Sequence, residues 1–548
     1  MKKDIVSVLK ASLESMGISN YPEVEVEIPK VGSFGDISSP IAMTLSKTLR
    51  KPPRKIAEQI VSNIKGRDIF EKIEIAGPGF INFTFSREYL FSSIVKILSS
   101  ERSFFRTDIG NGRSVLVEYV SANPTGPLHI GHARGAAVGN ALCNLLEESG
   151  FRVEREYYIN DAGRQMRLLG MSIFAKYLQI AGEVSGFPEE GYRGQYIEEE
   201  ASALLEEKGE RYRGLSFEEC EKEIISWAYF RMMNLIKRDL ASFKVREFTS
   251  WVSEKGLLEK GGVQKAIDDL RERDLLYQAD GAVWFRSSEF GDDKDRVIVK
   301  RDGELTYFAS DIAYHKYKMD RGFDIIIDVW GADHHGYVPR IEAVMKAFGY
   351  DRTKFEVILV QMVNLLKHGE PYQMSKRAGN FVTLSEVIDL VGSDTTKFIF
   401  LTRKSDSHLD FDIDVVTANS AENPVYYVQY ANARINSIFR NAEDHGLDIR
   451  GLEKQDLSPL GGEEELALIK KLLVYPMVLE GAARAHEPHR VTFYLQELAG
   501  MFHPYYHKYR VIGDDTGTTM ARLALCGAVK KVLNDALSIL GVTAPERM

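Results

Sequence analysis

The chain has 548 residues, 44% of them hydrophobic and 27% charged, with a formal net charge of −9. Those figures fit a soluble globular protein of about three or four domains that can bury a sizeable core. The acidic balance argues against bulk electrostatic attraction to nucleic acid but leaves a local basic face open.

The opening stretch MKKDIVSVLKASLESMG predicts an amphipathic helix over about residues 3–16, since Asp4, Ser7, Lys10, Ser12 and Glu14 interrupt any apolar run. It is not read as a signal peptide. No run of about 18 apolar residues occurs, so a membrane span is not expected. EVEVEIPK alternates as a strand should, GSFGDISSP is rich in turn formers, and PRKIAEQIVSNI is helical. IEIAGPGFINFTFS joins a Gly-Pro-Gly turn to strand-like residues, and the polar turn RTDIGNGR marks a boundary. Residues 1–108 are therefore expected to be a small α/β unit.

From Ser114 the pattern changes. SVLVEYV predicts a buried strand, a Gly/Pro loop follows, and a helix is expected from Gly131 to Ser149. RVEREYYIND supplies a second strand and completes a βαβ unit. Charged, helix-prone sequence then runs to about residue 250, too long for a simple crossover, and implies an insertion over about 165–300. FDIIIDVWGAD and FEVILVQMV bracket the helix RIEAVMKAF and read as parallel strands of the same sheet, resumed. This makes residues 109–385 a Rossmann-type α/β domain. Over 386–548 the strand signals fade, and four long segments repeat apolar residues at helical spacing, which predicts an all-α domain. The three cysteines, Cys143, Cys220 and Cys526, form no CxxC pair; reduced cytoplasmic thiols are expected and a thiolate zinc site is not.

Within SANPTGPLHIGHARGAAVGNAL, His129 and His132 stand three residues apart beside Gly126 and Gly131. No cysteine or carboxylate nearby completes a metal set. Two structural histidines capping a helix would be the ordinary reading. A strand, a Gly/Pro loop and a helix N-terminus in succession instead suit an anion, since free amides and the helix dipole both favour negative charge. Imidazoles placed there can donate to phosphate oxygens as charge builds up. A second element follows a late strand: EPYQMSKRAGNFVTL carries Met374, Ser375, Lys376 and Arg377 in a Gly-containing loop. There Lys376 can neutralise a departing pyrophosphate and the Ser375 hydroxyl can add a hydrogen bond.

HIGH (129–132) and MSKR (374–377) resemble the two signature motifs of class I aminoacyl-tRNA synthetases. The longer strings VEYVSANPTGPLHIGHARGAAVGNAL, YYINDAGRQM, GADHHGYVPRI, NPVYYVQYANAR and the terminal TAPERM resemble arginyl-tRNA synthetases in particular. FGD and AGPGFIN resemble the additional N-terminal domain of that family, so the likeness covers essentially the whole chain. It implies a catalytic domain flanked by that N-terminal unit and by a helical anticodon-binding domain. It also implies L-arginine, MgATP and tRNA(Arg) as substrates and partners, no zinc, and a monomer in the cytoplasm.

An arginine pocket must hold a planar cation with five donors, which carboxylates match best, with a tyrosine in support. Glu118, Asp311 and Tyr307 are the candidates, and the resemblance carries Asn123, Tyr307 and Asp311 over as amino-acid contacts. A further polar contact falls on His334 or His335, of which His335 is the working assignment. For ATP the resemblance implies His129, Gly131, His132, Met362, Val363, Met374, Ser375 and Lys376. The family's motif opens with lysine where this chain has Gln373. Family resemblance also implies that bound tRNA is needed for amino-acid activation. For tRNA, aromatics interleave with Arg434, Lys508 and Arg510 in the last domain, as stacking on splayed bases requires. Tyr427, Tyr430 and Arg434 are the candidates there, with Phe80 and Asn82 on the D-loop side. The rival readings are a nucleotidylyltransferase, a synthetase of other specificity and a tRNA-binding relative without catalysis. The MSKR loop and helical last domain oppose the first, the carboxylate-rich pocket the second, and retention of both histidines, Lys376, Glu118 and Asp311 the third.

Overall fold

A computed structural model of the chain describes residues 1–29, 34–100, 104–372, 382–418 and 420–548. Helix α1 (Lys2–Ser15) buries its stripe of Ile5, Leu9 and Leu13. It is followed by an antiparallel sheet of β1 (Ile37–Ser39), β2 (Phe70–Ala76) and β3 (Phe80–Phe85) in the order β1-β3-β2, with α2 (Ile41–Leu49) and α3 (Pro53–Ser62) between β1 and β2 in the chain. α1 meets α3, where Ser12 Oγ donates to the Ile60 carbonyl at 2.7 Å. The expected strand over EVEVEIPK does not form. Among the described residues of that stretch only Glu27 pairs, exchanging two backbone hydrogen bonds of 2.8 Å with Ser38. Pro22 and Pro29 bracket the segment, and proline cannot donate to a ladder. Val24 is buried all the same, so the alternation records docking of extended edge chain.

After α4 (Arg87–Ser99), β4 (Ser114–Glu118), α5 (Ile130–Glu148) and β5 (Arg152–Ile159) form the βαβ unit that the sequence predicts. The insertion opens as a helical layer of α6 (Arg164–Ile180), α7 (Gln195–Lys208) and α8 (Phe217–Ser242) with its own apolar cluster. It is not continuous: β6 (Ser250–Ser253) returns to the main sheet and pairs in parallel with β5. Then come α9 (Glu254–Glu259), α10 (Gly262–Glu272), an antiparallel trio of β7 (Leu276–Ala279), β8 (Ala282–Phe285) and β9 (Arg296–Val299), and α11 (Tyr307–Asp320). The main sheet resumes with β10 (Ile325–Gly331), α12 (Val338–Ala347) and β11 (Phe355–Val360).

The five parallel strands lie in the order β11-β10-β4-β5-β6. The chain first builds outward from β4 on one side and then on the other, so the order reverses between β4 and β10. In doubly wound sheets a ligand crevice opens at that reversal, outside the carboxyl ends of the strands. The run FEVILVQMV does not stay in one sheet. It ends at Val360, and Val363 opens β12 (Val363–Lys367), which pairs with β13 (Glu370–Pro371) and, in parallel, with β14 (Leu409–Asp412). Helices α13 (Leu384–Val391), α14 (Ser393–Phe400) and α15 (Ile413–Thr417) surround that small sheet. The last part is all-α, with α16 (Pro424–Asp444), α17 (Glu463–Ala485), α18 (His489–Lys508) and α19 (Thr516–Leu540). Its end touches α5 directly: Asn144 Nδ2 donates to the Ile539 carbonyl at 2.9 Å. No helix among the described residues is long and apolar enough to cross a membrane.

The small residues of α5 serve close packing. A Cβ on Gly139 would lie 2.3 Å from the buried Tyr119 ring, whereas one on Gly135 meets nothing within 4 Å. Gly139→Ala is therefore expected to cost about 1–3 kcal/mol, read as a thermal midpoint lower by roughly 2–10 °C. Gly135→Ala should leave the midpoint in place; equal midpoints for the two variants would contradict this account of the helix.

Candidate active site

The crevice at the strand reversal is a cleft of about 770 Å³. Glu118 lines it from β4, Tyr158 from β5, Val329 to Gly331 from β10 and Val360 from β11, with Asp311 entering from α11. Between β4 and α5 the backbone turns sharply. Val120 has φ 69° and Ser121 φ 40°, and Ser121 N–H donates to the Tyr119 carbonyl at 3.0 Å. A β-branched residue in the left-handed region is strained, and such strain persists where neighbours over-determine the backbone. Here they do. Ser121 Oγ donates to Glu118 Oε1 at 2.7 Å and accepts Tyr158 N–H at 3.1 Å, and Tyr157 and Tyr196 hydroxyls hold the Ala122 and Thr125 carbonyls at 2.8 and 2.9 Å. Asp239, from α8, accepts Leu128 N–H at 3.2 Å; burial pushes its carboxyl up to about 6.

His129 is the N-cap of α5 and His132 lies one turn in, with the two rings stacked at 3.6 Å. His129 Nδ1 accepts Gly131 N–H at 3.1 Å and His132 Nδ1 accepts His129 N–H at 3.4 Å. An Nδ1 that accepts a backbone N–H carries no proton, so the neutral tautomer of each ring bears its hydrogen on Nε2. Burial lowers both histidines, His132 to about 3, with the His129 charge adding to the effect on His132. At neutral pH the pair is thus two uncharged N–H donors at a helix N-terminus whose Ile130 and Gly131 amides are already engaged, by the Val382 carbonyl and by His129 itself. Both rings line the cleft.

The two signature segments are joined through their flanks. Ile130 N–H donates to the Val382 carbonyl at 3.0 Å and Leu384 N–H to the Leu128 carbonyl at 2.7 Å. Gln373, Met374, Ser375, Lys376 and Arg377 lie outside the described residues. Met362 lines the cleft and Val363 does not. Arg134, fully buried on α5, donates to the carbonyls of Gln361 and Ser407 at 2.8 Å each and of Lys404 at 3.0 Å. It so fixes the turn that presents Gln361 and Met362.

Of the candidates for the amino acid, Glu118, Asn123 and Asp311 all line the cleft. Asn123 Nδ2 donates to Gln165 Oε1 at 2.9 Å. Asp311 accepts from the Tyr337 hydroxyl; burial pushes its carboxyl up and that hydrogen bond works against the shift. Two expected contacts fall elsewhere. Tyr307 opens α11 and is 72% exposed, outside the lining, although it stands one turn before Asp311. His334 lines the cleft whereas His335 is turned away, its Nδ1 held 3.0 Å from the Ala332 carbonyl. The 3-10 turn Ala332–Tyr337 decides this, because adjacent residues there point in different directions. Sequence reasoning missed Tyr337, Arg134 and Lys318. For Lys318 a signal existed: Asp311, Tyr314, His315 and Lys318 recur at helical spacing on the face of α11 that also buries Phe308 and Ile312.

Among the tRNA candidates, Arg434 is fixed between the Tyr430 and Tyr506 rings, 4.6 Å from each, and donates to His503 Nδ1 at 3.1 Å. Tyr427 packs on His503 at 4.4 Å. Phe80 is half-buried, and Asn82 is buried with its Oδ1 accepting from Ser38 Oγ at 2.7 Å, so it faces the strand core. Lys508 pairs with Glu464. Among the described residues no group of three or more His, Cys, Asp or Glu side chains could hold a metal ion.

Three family profiles match the chain in succession: an arginyl tRNA synthetase N-terminal domain over residues 3–85, a class I (R) tRNA synthetase catalytic domain over 93–439, and a DALR anticodon binding domain over 428–548. The arginine–tRNA ligase of Syntrophotalea carbinolica is 51% identical over 96% of this chain and 95% of its own length. That of Citrifermentans bemidjiense is 48% identical over the same shares. The arginyl-tRNA synthetase of Thermus thermophilus superposes over the whole of both chains with a TM-score of 0.78 at 22% identity, a likeness of fold. A parallel sheet with its crevice at the strand reversal, a stacked histidine pair on the first crossover helix and full-length relatives at this identity agree: the chain belongs to the arginyl-tRNA synthetase family.

Proposed function

We propose that this protein is an arginine–tRNA ligase that activates L-arginine with ATP and then charges tRNA(Arg). The observation that carries the reading is one cleft lined both by two neutral Nε2–H donors, His129 and His132, and by the carboxylates of Glu118 and Asp311. A guanidinium with its fork of donors suits the carboxylates, and phosphates suit the histidines. An arginine carboxylate oxygen would then attack the α-phosphorus of ATP. A new P–O bond forms, the bond to the β-phosphate oxygen breaks, and pyrophosphate leaves with its electron pair. His129 and His132 donate to phosphate oxygens as charge builds up, and the role that the resemblance gives Lys376 and Ser375 is to offset charge on the departing pyrophosphate. A ribose hydroxyl of the tRNA's terminal adenosine next attacks the arginyl carbonyl and releases AMP. ATP acts as its magnesium complex, which is a substrate and not a resident cofactor.

The three-part division at about residues 108 and 385 belongs to the same proposal, as do Tyr427, Tyr430 and Arg434 as tRNA contacts, work in the cytoplasm and a monomeric state. ATP–pyrophosphate exchange with each amino acid in turn, with and without total tRNA, tests it. Exchange is expected with arginine alone and only when tRNA is present. Exchange driven by any other amino acid would overturn the specificity.

A further inference from the structure

Beneath the cleft lies a buried lysine that the reaction as written does not use. Lys318 Nζ has no solvent contact, pairs with Glu118 Oε2 and donates to Asp328 Oδ1 at 2.7 Å. Its partners come from two neighbouring strands, β4 and β10, on either side of the crevice. The ammonium also sits 4.3 Å from the centre of the Tyr314 ring, which covers it on the helix side. Glu118 is thus held at both oxygens, Oε2 by Lys318 and Oε1 by Ser121, with lone pairs left over towards the cleft.

We propose that Lys318 is a positioning residue for amino-acid recognition: it fixes the orientation of the Glu118 carboxylate and keeps it ionised to receive the cationic side chain of the substrate. The inference rests on the reading that Glu118 contacts arginine. Its physical basis is the cost of a buried carboxylate. Without a counter-ion such a group takes up a proton, and a protonated Glu118 has one acceptor fewer and no charge to offer a guanidinium. Burial pushes the Glu118 carboxyl up, Lys318 pulls it down, and the neighbouring Asp328 pushes it up again. The two carboxylates in turn hold Lys318 well above the ordinary lysine range. The other groups around the trio are engaged among themselves. His315 Nε2 lies 3.0 Å from Asp328 Oδ2, the Tyr314 hydroxyl donates to Glu156 Oε1 at 2.7 Å, and Arg321 pairs with Glu156 and Glu154. Tyr158, from β5, and Asp311, from α11, face the same space from the cleft side.

The proposal makes a prediction of opposite signs. Arginine binding to the full-length chain should weaken on the acid side as Glu118 protonates, measured by calorimetry across about pH 5 to 9. Lys318→Met should move that acid limb up by at least about one pH unit, and so weaken arginine about tenfold at pH values on the acid side of both limbs while ATP affinity stays within about twofold. Lys318→Arg keeps the cation and should stay near the wild-type limb. Asp328→Asn removes the competing anion and should move the limb down. Should Lys318→Met fail to fold, the downward shift in Asp328→Asn decides alone. Limbs that stay in place or move the same way in both variants, while Glu118→Gln weakens arginine at least about tenfold, would overturn the role of Lys318 only. Unchanged arginine affinity in Glu118→Gln would remove the reading beneath it as well.

Discussion

Replacing His132 by alanine is expected to slow arginine-dependent ATP–pyrophosphate exchange about 10²–10³-fold, the loss seen when one preorganised donor to a developing anion is removed. The ring's hydrogen sits on Nε2 because Nδ1 accepts His129 N–H, so the side chain offers one aimed donor and no charge. His132→Gln places an amide N–H at comparable reach and should recover part of the rate. The effect belongs in kcat, with arginine affinity little changed, because the ring is proposed to donate to phosphate as charge develops and not to the guanidinium. Burial also sets the pH behaviour. The folded-state value of His132, about 3, lies far below that of an exposed imidazole, so the folded protein keeps the ring neutral as pH falls. Its contribution to stability is therefore present above the unfolded value of about 6.5 and declines below it, where the unfolded chain takes up a proton that the folded one refuses. A wild-type rate for His132→Ala, or a histidine titration near pH 6.5 that disappears in that variant, would contradict this role.

Arg134→Met is expected to be among the most damaging single changes in the protein outside the cleft lining. The guanidinium is buried, no carboxylate pairs with it among its hydrogen bonds, and its three donations all go to backbone carbonyls, of Gln361, Lys404 and Ser407. Burial lowers its pKa to about 10, which still leaves it charged at neutral pH. Methionine fills similar volume but leaves three carbonyls short of a donor, at roughly 1–3 kcal/mol for each that water cannot reach. The thermal midpoint should drop by several degrees. ATP affinity should also weaken more than arginine affinity, since Gln361 and Met362 stand on the turn that Arg134 holds. Lysine cannot span three acceptors and should rescue little. A midpoint and an ATP affinity both equal to wild type would show that the turn holds itself.

The parts of the fold that the sequence displays are those where one strong pattern acts alone. β4, α5 and β5 follow from a buried apolar run, a Gly/Pro loop and a small-residue helix, and β10 and β11 from apolar runs of strand length. β6 is only four residues, Ser-Trp-Val-Ser, and takes its strand character from pairing with β5, so no local pattern announces it. EVEVEIPK misleads in the other direction, since alternation guarantees one buried face but no partner to pair with. In the site, Glu118, Asn123, Asp311 and the two histidines were legible because charged or polar residues stood where chain continuity placed strand ends and helix starts. Lys318 stands by its spacing on the buried face of α11, but a lysine in a helix ordinarily points to water, and only the two carboxylates brought in from β4 and β10 make its burial favourable. The choice between His334 and His335 depended on the rotation of one short turn, which residue types do not encode.

The antiparallel bridge between Leu128–Ile130 and Val382–Leu384 also sets an order of assembly during synthesis. The histidine segment leaves the ribosome well before its partner strand exists, by roughly 10–50 s at ordinary elongation rates. The acceptors for Arg134 at 404 and 407, and the Ile539 carbonyl that receives Asn144, come later still. A nascent chain ending before residue 382 can pair β4 with β5 but has nothing to hold the histidine turn from that side. The histidine turn is therefore completed only after segments about 250 residues downstream of it have been made.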